Sequence, residues 1–295
     1  MQRGVIYAAL AFSWWGLFPL YFRIVTGVPA GEVLAHRIVW SLVFVLGLLS
    51  VRRQWAWLGQ VLRQPRVLAS FTASSLLLAN NWLVYLWAAS NGHVVDASLG
   101  YFITPLVNVL LGYTLLHERP TRGQWVALTL ATFGVLWLTI AAGTLPWIAL
   151  MLGISFGAYG LMRKVATLGA LEGLTLETMV LTPLALFALG YWVWQGNAVF
   201  PAPDLTTNVW LLVFGPITAI PLLLFAAGAR RLPLTTLGIL QYIGPTLQFG
   251  IGVWVFNEAF TASRAVGFGC IWTALVIYTI DGLRSGRRTS LAMAA

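Results

Sequence analysis

Two ionisable residues, Arg37 and Glu177, stand well inside long apolar runs of this sequence. An ion at the bilayer centre costs several kcal/mol, with values from about 2.5 upward, so such a residue marks a solute path, a proton relay or a gate unless it escapes to an interface. Each lies roughly five or six residues into its run, about 8 Å deep at 1.5 Å of rise per residue. They are expected to serve as gates on opposite sides of a membrane, and so not to pair with each other. Arg163 or Lys164 is the expected partner of Glu177, and Asp96 or Glu32 that of Arg37. The alternative is that both snorkel to the nearer interface. Glu177 is also the carboxylate best suited to carry a proton.

Uncharged polar residues form a second constellation. Tyr101, Thr104 and Asn108 recur at helical spacing and share one face, as do Gln241, Pro245 and Gln248. Asn81 and Tyr85 stack at i, i+4 beside Asn80, while Trp14, Trp15, Phe18 and Tyr159 offer aromatic walls. One reading places Trp15, Asn81, Tyr85, Tyr101, Asn108, Gln241 and Gln248 around a substrate cavity. There, amides and hydroxyls would bond the amine, carboxylate or carbonyl of a small amphipathic solute. The other reading is glue between helices, worth about 0.6 kcal/mol per bond in a membrane. Pro105 and Pro245 each free a carbonyl within their helices, which makes a hinge or a static kink. His36 adjoins Arg37, whereas His93 falls in an external loop beside Asn91-Gly92 and His117 at an internal helix end.

Other chemistry finds no support. No three ligands stand at metal spacing, and no Ser/His/Asp or paired-carboxylate arrangement is present. The eight acids are dispersed, against the needs of a lipid-modifying enzyme, and no phosphate-cradling glycine loop exists for ATP. Neither cofactor nor metal is expected. A structural or receptor module stays open as the non-transport alternative.

The elements that must hold these residues follow from composition. Of 295 residues, 59% are hydrophobic and 8% charged, with mean hydropathy +0.84. A soluble domain carries about 25% charged residues, so the chain cannot coat itself for water. A polytopic, all-α integral membrane protein remains. The net charge of +9 comes from one lysine and scattered arginines, which reads as topology signal rather than as a nucleic-acid surface. Cys270, alone in an apolar run, is a packing residue.

A membrane helix needs about 20 apolar residues. Ten spans are expected: Gly4–Phe22, Gly31–Val51, Arg66–Ala89, Asp96–Leu116, Arg122–Ile140, Leu145–Met162, Glu172–Trp194, Thr207–Gly228, Leu234–Phe256 and Ser263–Asp281. The first follows a basic start but runs on past Trp14-Trp15 without a cleavage site, so it is read as an uncleaved helix. With the N-terminus inside, fourteen Arg and Lys residues fall in cytoplasmic segments; only Arg23 and Arg264 fall outside. Both termini are therefore expected in the cytoplasm.

A shift of 140 positions superposes Arg23 on Arg163, Glu32 on Glu172, Pro105 on Pro245, Glu118 on Glu258 and Thr121 on Thr261. At a shift of 138, Ser98-Leu99-Gly100 meets Thr236-Leu237-Gly238. Five spans per half make the second copy enter from the opposite side, giving two inverted five-helix repeats, 1–142 and 143–284, and a short tail, 285–295. Inverted repeats suit alternating access, with a site near the midplane between them. The fifth and tenth spans, poor in polar residues, are expected at the periphery. Gly153 and Gly157 form a small-xxx-small pair for close packing.

The Pro105…His117-Glu118-Arg119-Pro120 helix end, its Pro245…Asn257-Glu258 counterpart and the five-plus-five plan resemble the EamA-type permeases of the drug/metabolite transporter superfamily. The opening Trp14-Trp15-Gly16-Leu17-Phe18-Pro19-Leu20-Tyr21, the His36-Arg37 pair and Tyr101-Phe102-Ile103-Thr104-Pro105-Leu106-Val107-Asn108 are similar to its RarD branch. The likeness runs from about Gly4 to Asp281. It implies a multi-pass permease of the bacterial inner membrane, with a small-molecule substrate and lipid as partners; a second copy of the chain is a further candidate partner.

Overall fold

The computed structural model describes residues 2–25, 27–53, 55–115, 117, 120–229, 231 and 240–294. Among them every regular element is a helix. In chain order they are α1 (Gln2–Gly16), α2 (Phe18–Phe22), α3 (Ala30–Arg52), α4 (Ala56–Val61), α5 (Pro65–Ser90), α6 (Val94–Leu115), α7 (Arg122–Ala142), α8 (Trp147–Val165), α9 (Ala170–Trp194), α10 (Leu205–Ala229), α11 (Ile243–Gly250) and α12 (Ala262–Ala294). A π-helical turn, Ile251–Val255, continues α11.

Among the described residues, seven helices are long and apolar enough to cross a bilayer: α3, α5, α6, α7, α9, α10 and α12. Two shorter apolar helices, Trp147–Arg163 and Ile243–Val255, fall where the sixth and ninth spans are expected. The first expected span is divided. Pro19, in the first turn of α2, supplies no N–H, and Leu17 N bonds back to Ser13 and Trp14, so the helix breaks between α1 and α2. The start of the expected ninth span, Leu234, lies outside the described residues, as do Thr236-Leu237-Gly238, Glu118, Arg119 and Arg230.

The connection after α3 carries a short helix, α4, whose Val61 is buried with Phe71 and Leu176. α12 runs unbroken to Ala294, past Asp281 where the last expected span ends.

The helices of residues 1–142 pack chiefly on those of 143–284. α1 lies on α10 and α11, α3 on α9 and α10, α5 on α8 and α9, α6 on α8 and α11, and α7 on α12. Small residues set the closest approaches. Gly153 of α8 sits so near α6 that a Cβ there would stand 3.1 Å from Gly100 O, and one on Gly157 would be 2.7 Å from Val107 Cγ1. In lipid, where apolar burial gains nothing over contact with acyl chains, such close backbone packing drives association. Outward-facing side chains are large and apolar; Ile140, Phe187, Trp194 and Trp254 are among the most exposed. α7 and α12 pack mainly on each other, as expected of peripheral supports.

Helix ends are tied by polar contacts. Asp96, in the first turn of α6, pairs with Arg264 of α12 at 3.3 Å, and Thr121, which caps α7, donates to Asp281. α6 and α12 thus start together, and Thr121, just beyond the end of α6, meets α12 at Asp281.

Candidate functional site

Arg37 sits on α3 with only 3% of its surface exposed. Its Nε donates to Thr218 Oγ1 of α10 at 2.7 Å. The guanidinium carbon lies 4.1 Å from the Trp82 ring centre and 5.2 Å from that of Phe18, close enough for cation–π attraction. Nη1 has no hydrogen-bond partner. The expected ion pairs with Glu32 or Asp96 do not form. Glu32 is held at the mouth of α3 by the backbone N–H groups of Val199 and Phe200, each 2.9 Å from Oε1. Asp96 is taken by Arg264 and by His93, 3.0 Å away and stacked on Trp87. Backbone amides and an interfacial arginine reach these carboxylates first, while Arg37 points into the bundle. Removing one partner of a buried charge typically costs 3–5 kcal/mol, and Trp82 offsets only part of such a cost.

Glu177 on α9 is 1% exposed. Oε1 accepts from Ser74 Oγ of α5 at 2.8 Å, and Oε2 from Tyr159 Oη of α8 at 3.2 Å. Arg163 Nη1 stands 3.9 Å from Oε1, so Arg163 is the basic partner; the Lys164 side chain lies outside the described residues. Arg163 also donates to Gly169 O at 3.3 Å and lies over Phe71. Gly173, one turn before Glu177, leaves the space Arg163 fills: a Cβ there would overlap Nη1. Neither Arg37 nor Glu177 snorkels, and they do not meet.

The expected polar lining divides into two groups. In the first, Asn81 Nδ2 donates to Leu152 O at 3.1 Å and Ser155 Oγ at 2.9 Å, while Oδ1 accepts from Tyr101 Oη at 3.1 Å. Asn81 thus ties α5, α6 and α8 together, as the glue reading requires. The Tyr85 ring lies 5.9 Å from that of Tyr101, tilted by 51°, and its buried hydroxyl has no partner. In the second group, Gln248 Nε2 donates to Trp15 O at 3.0 Å, leaving Oε1 buried and unpaired. The Trp15 ring packs on Phe12 and Phe225.

Asn108 was expected as a buried amide but is exposed. The α8 residues opposite its Oδ1 are Gly157 and Gly160, which have no side chain to cover it. Gln241 is partly buried, and Thr104 closes its hydrogen bond on Gly100 O within its own helix. Pro105 is buried in the unbroken α6, whereas Pro245 stands three residues after a helix break at Tyr242 and six before the π-helical turn. Backbone irregularity therefore gathers around Pro245, not Pro105.

Three participants escape a reading of sequence alone. Thr218 and Ser74 look like any hydroxyl in a membrane helix. Glu258 stands out only as a repeat landmark; its Oε1 and Oε2 accept from Val94 N at 2.6 Å and Val95 N at 2.8 Å, capping α6. Among the described residues no three His, Cys, Asp or Glu side chains gather as for a metal.

Apolar helices joined by buried, glycine-mediated crossings, with an arginine and a glutamate sunk among them, define a multi-pass membrane protein of transporter type. The model of the EamA-like transporter family matches residues 2–140. "Uncharacterized transporter YojE" of Bacillus subtilis (strain 168) is 46% identical over 96% of this chain and 95% of its own. "Protein RarD" of Escherichia coli (strain K12) is 42% identical over 98% of each, and that of Streptomyces exfoliatus 46% over 100% of this chain and 93% of its own. The chain belongs to the EamA-like transporter family and, within it, to the group of RarD and YojE. One crystal structure, 18% identical, shares the fold with a TM-score of 0.64 over 96% of this chain and 99% of that one.

Proposed function

We propose that the protein is a secondary transporter of the bacterial inner membrane that moves a small amphipathic metabolite or drug by alternating access, in the direction of export. The halves 1–142 and 143–284 act as inverted five-helix repeats with both termini in the cytoplasm. The observation that carries this reading is a reciprocal exchange of hydrogen bonds. Arg37 of the first half donates to Thr218 of the second, and Glu177 of the second accepts from Ser74 of the first. Arg37 and Glu177 are equivalent under the 140-residue shift, while Thr218 aligns with Leu78, one helical turn from Ser74, so each half sinks one charge against a hydroxyl of the other at nearly matching places. Breaking one while keeping the other is what a two-state rocker requires.

Further support comes from the match of the family model to residues 2–140, close to one proposed repeat. The divided first span, the two shorter apolar helices and the seven long ones supply ten segments where ten are expected. Arg37 and Glu177 serve as the gates, and the break and π-helical turn flanking Pro245 as the hinge.

The test is solute counterflow in liposomes holding the purified protein, screened with amino acids, amines, carboxylates and antibiotics. Saturable flux lost on Arg37→Gln or Glu177→Gln is the expected result. Absence of flux for every class, with folded protein in the membrane, would return the chain to a structural or receptor role.

A further inference from the structure

Arg37 is a buried cation for which the described residues supply no carboxylate within ion-pair distance. The two acids nearest in expectation, Glu32 and Asp96, are engaged elsewhere. Its Nε is used by Thr218, and its Nη1 has no partner. Tyr85 Oη is a second buried polar atom without one. The two belong together: the Arg37 guanidinium lies on Trp82, and Tyr85 stands three residues further along α5 on the same face, while Tyr101 already gives its own hydroxyl hydrogen to Asn81. Their surroundings are aromatic, with Trp82 and Phe18 on the guanidinium and Phe22 at 6.0 Å from the Tyr85 ring.

Orphan N–H and O–H donors beside one uncompensated positive charge call for a ligand that only accepts and carries negative charge. Buried polar groups in native proteins are otherwise paired, so both vacancies ask for a partner. One guanidinium balances one charge, which favours a monoanion over a phosphate dianion. The aromatic walls fit an apolar body attached to that anion.

We propose that Arg37 Nη1 and Tyr85 Oη form the anchor for the carboxylate of a monoanionic organic acid with an apolar body, a substrate class that rests on the transport reading above. Thr218 holds the guanidinium from behind through Nε, and Trp82 fixes its plane, so the free edge keeps a constant direction.

The test uses the full chain in detergent and radiolabelled phenylacetate, 3-phenylpropionate and hexanoate in equilibrium binding. Phenylacetamide, phenethylamine, inorganic phosphate and chloride serve as competitors. Saturable carboxylate binding is expected, with each competitor at least tenfold weaker. Arg37→Gln is expected to weaken binding at least tenfold, and Tyr85→Phe several-fold, at unchanged melting temperature for the latter. Should Arg37→Gln fail to fold, Tyr85→Phe decides. No saturable binding of any of the three acids, equal competition by the amide, the amine or phosphate, or undiminished binding by Tyr85→Phe overturns the anchor. Carboxylate binding without counterflow leaves the anchor standing and removes the transport reading. Counterflow of other solutes, lost on Arg37→Gln but indifferent to Tyr85→Phe, does the reverse.

Discussion

Arg37 and Glu177, 140 positions apart in the chain, each take a hydroxyl partner from the opposite half: Thr218 at 2.7 Å and Ser74 at 2.8 Å. The contacts differ in what their loss exposes. Without Thr218, the Arg37 guanidinium loses an acceptor that nothing among its aromatic neighbours replaces. Glu177 without Ser74 keeps Tyr159 and the charge of Arg163.

Thr218→Val should therefore be the more disruptive of the two isosteric changes. A hydrogen bond to a charged group is worth about 1.5–3 kcal/mol when a buried partner is left unsatisfied. Loss of about that much stability is expected for Thr218→Val and under about 1 kcal/mol for Ser74→Ala, read by thermal unfolding in detergent. Equal losses would mean that Arg37 finds a replacement acceptor.

Glu177→Gln keeps the volume and an acceptor for Ser74 but removes the charge facing Arg163. The fold should survive, because Gly169 O still accepts from Arg163 and Phe71 still lies beneath it. Flux, however, should fall at least tenfold, and any dependence of flux on a proton gradient should vanish. Retained proton dependence in Glu177→Gln would assign the coupling proton to another group.

How much of this was legible depends on what a residue type signals. Arg37 and Glu177 are conspicuous because charge is rare in apolar runs, and Arg163 and Lys164 follow as the basic pair a few turns away on a neighbouring span, between which the sequence does not choose. The crossing at Gly153 and Gly157 is equally readable from small residues at fixed spacing. Thr218 and Ser74 are not, because a lone hydroxyl in a membrane helix usually closes on its own backbone, as Thr104, Thr178 and Thr182 do here and as Ser74 itself also does on Phe71 O at 3.0 Å. The carboxylates Glu32 and Glu258 illustrate a second limit. Their backbone partners, Val199, Phe200, Val94 and Val95, carry no side-chain signature at all. The exposure of Asn108 shows a third limit: the residues facing it on another helix are glycines.

Glu258→Ala removes both acceptors from the first N–H groups of α6. Unsatisfied donors at a helix start, together with loss of negative charge at the positive end of the dipole, cost about 1–2 kcal/mol. We expect a fall of about that size in unfolding free energy, and faster hydrogen exchange confined to the first turn of α6. Glu258→Gln, which can satisfy one donor but not both, should lie between. Exchange spread evenly over α6 would argue that Glu258 acts elsewhere.

Sidedness offers the most direct check on the repeat arrangement. Cys270 is the single cysteine of the chain, so Cys270→Ser gives a background for site-directed labelling. In the ten-span reading, the connection before α10 faces outward, whereas α4 and the far end of α12 face the cytoplasm. The contacts agree with such a grouping: residues 199 and 200 meet the start of α3 at Glu32, while Gly228, near the end of α10, packs on Ala8 near the chain's start. Asn197→Cys should thus react with an impermeant maleimide added to intact cells, and Gln60→Cys and Ser290→Cys only after the membrane is opened. Outside labelling of Ser290→Cys alongside protection of a cysteine at Gln2 would make the number of crossings odd. An odd number cannot give two equal halves of opposite sense, and the reciprocal bonds of Arg37 and Glu177 would then have to be explained without a repeat.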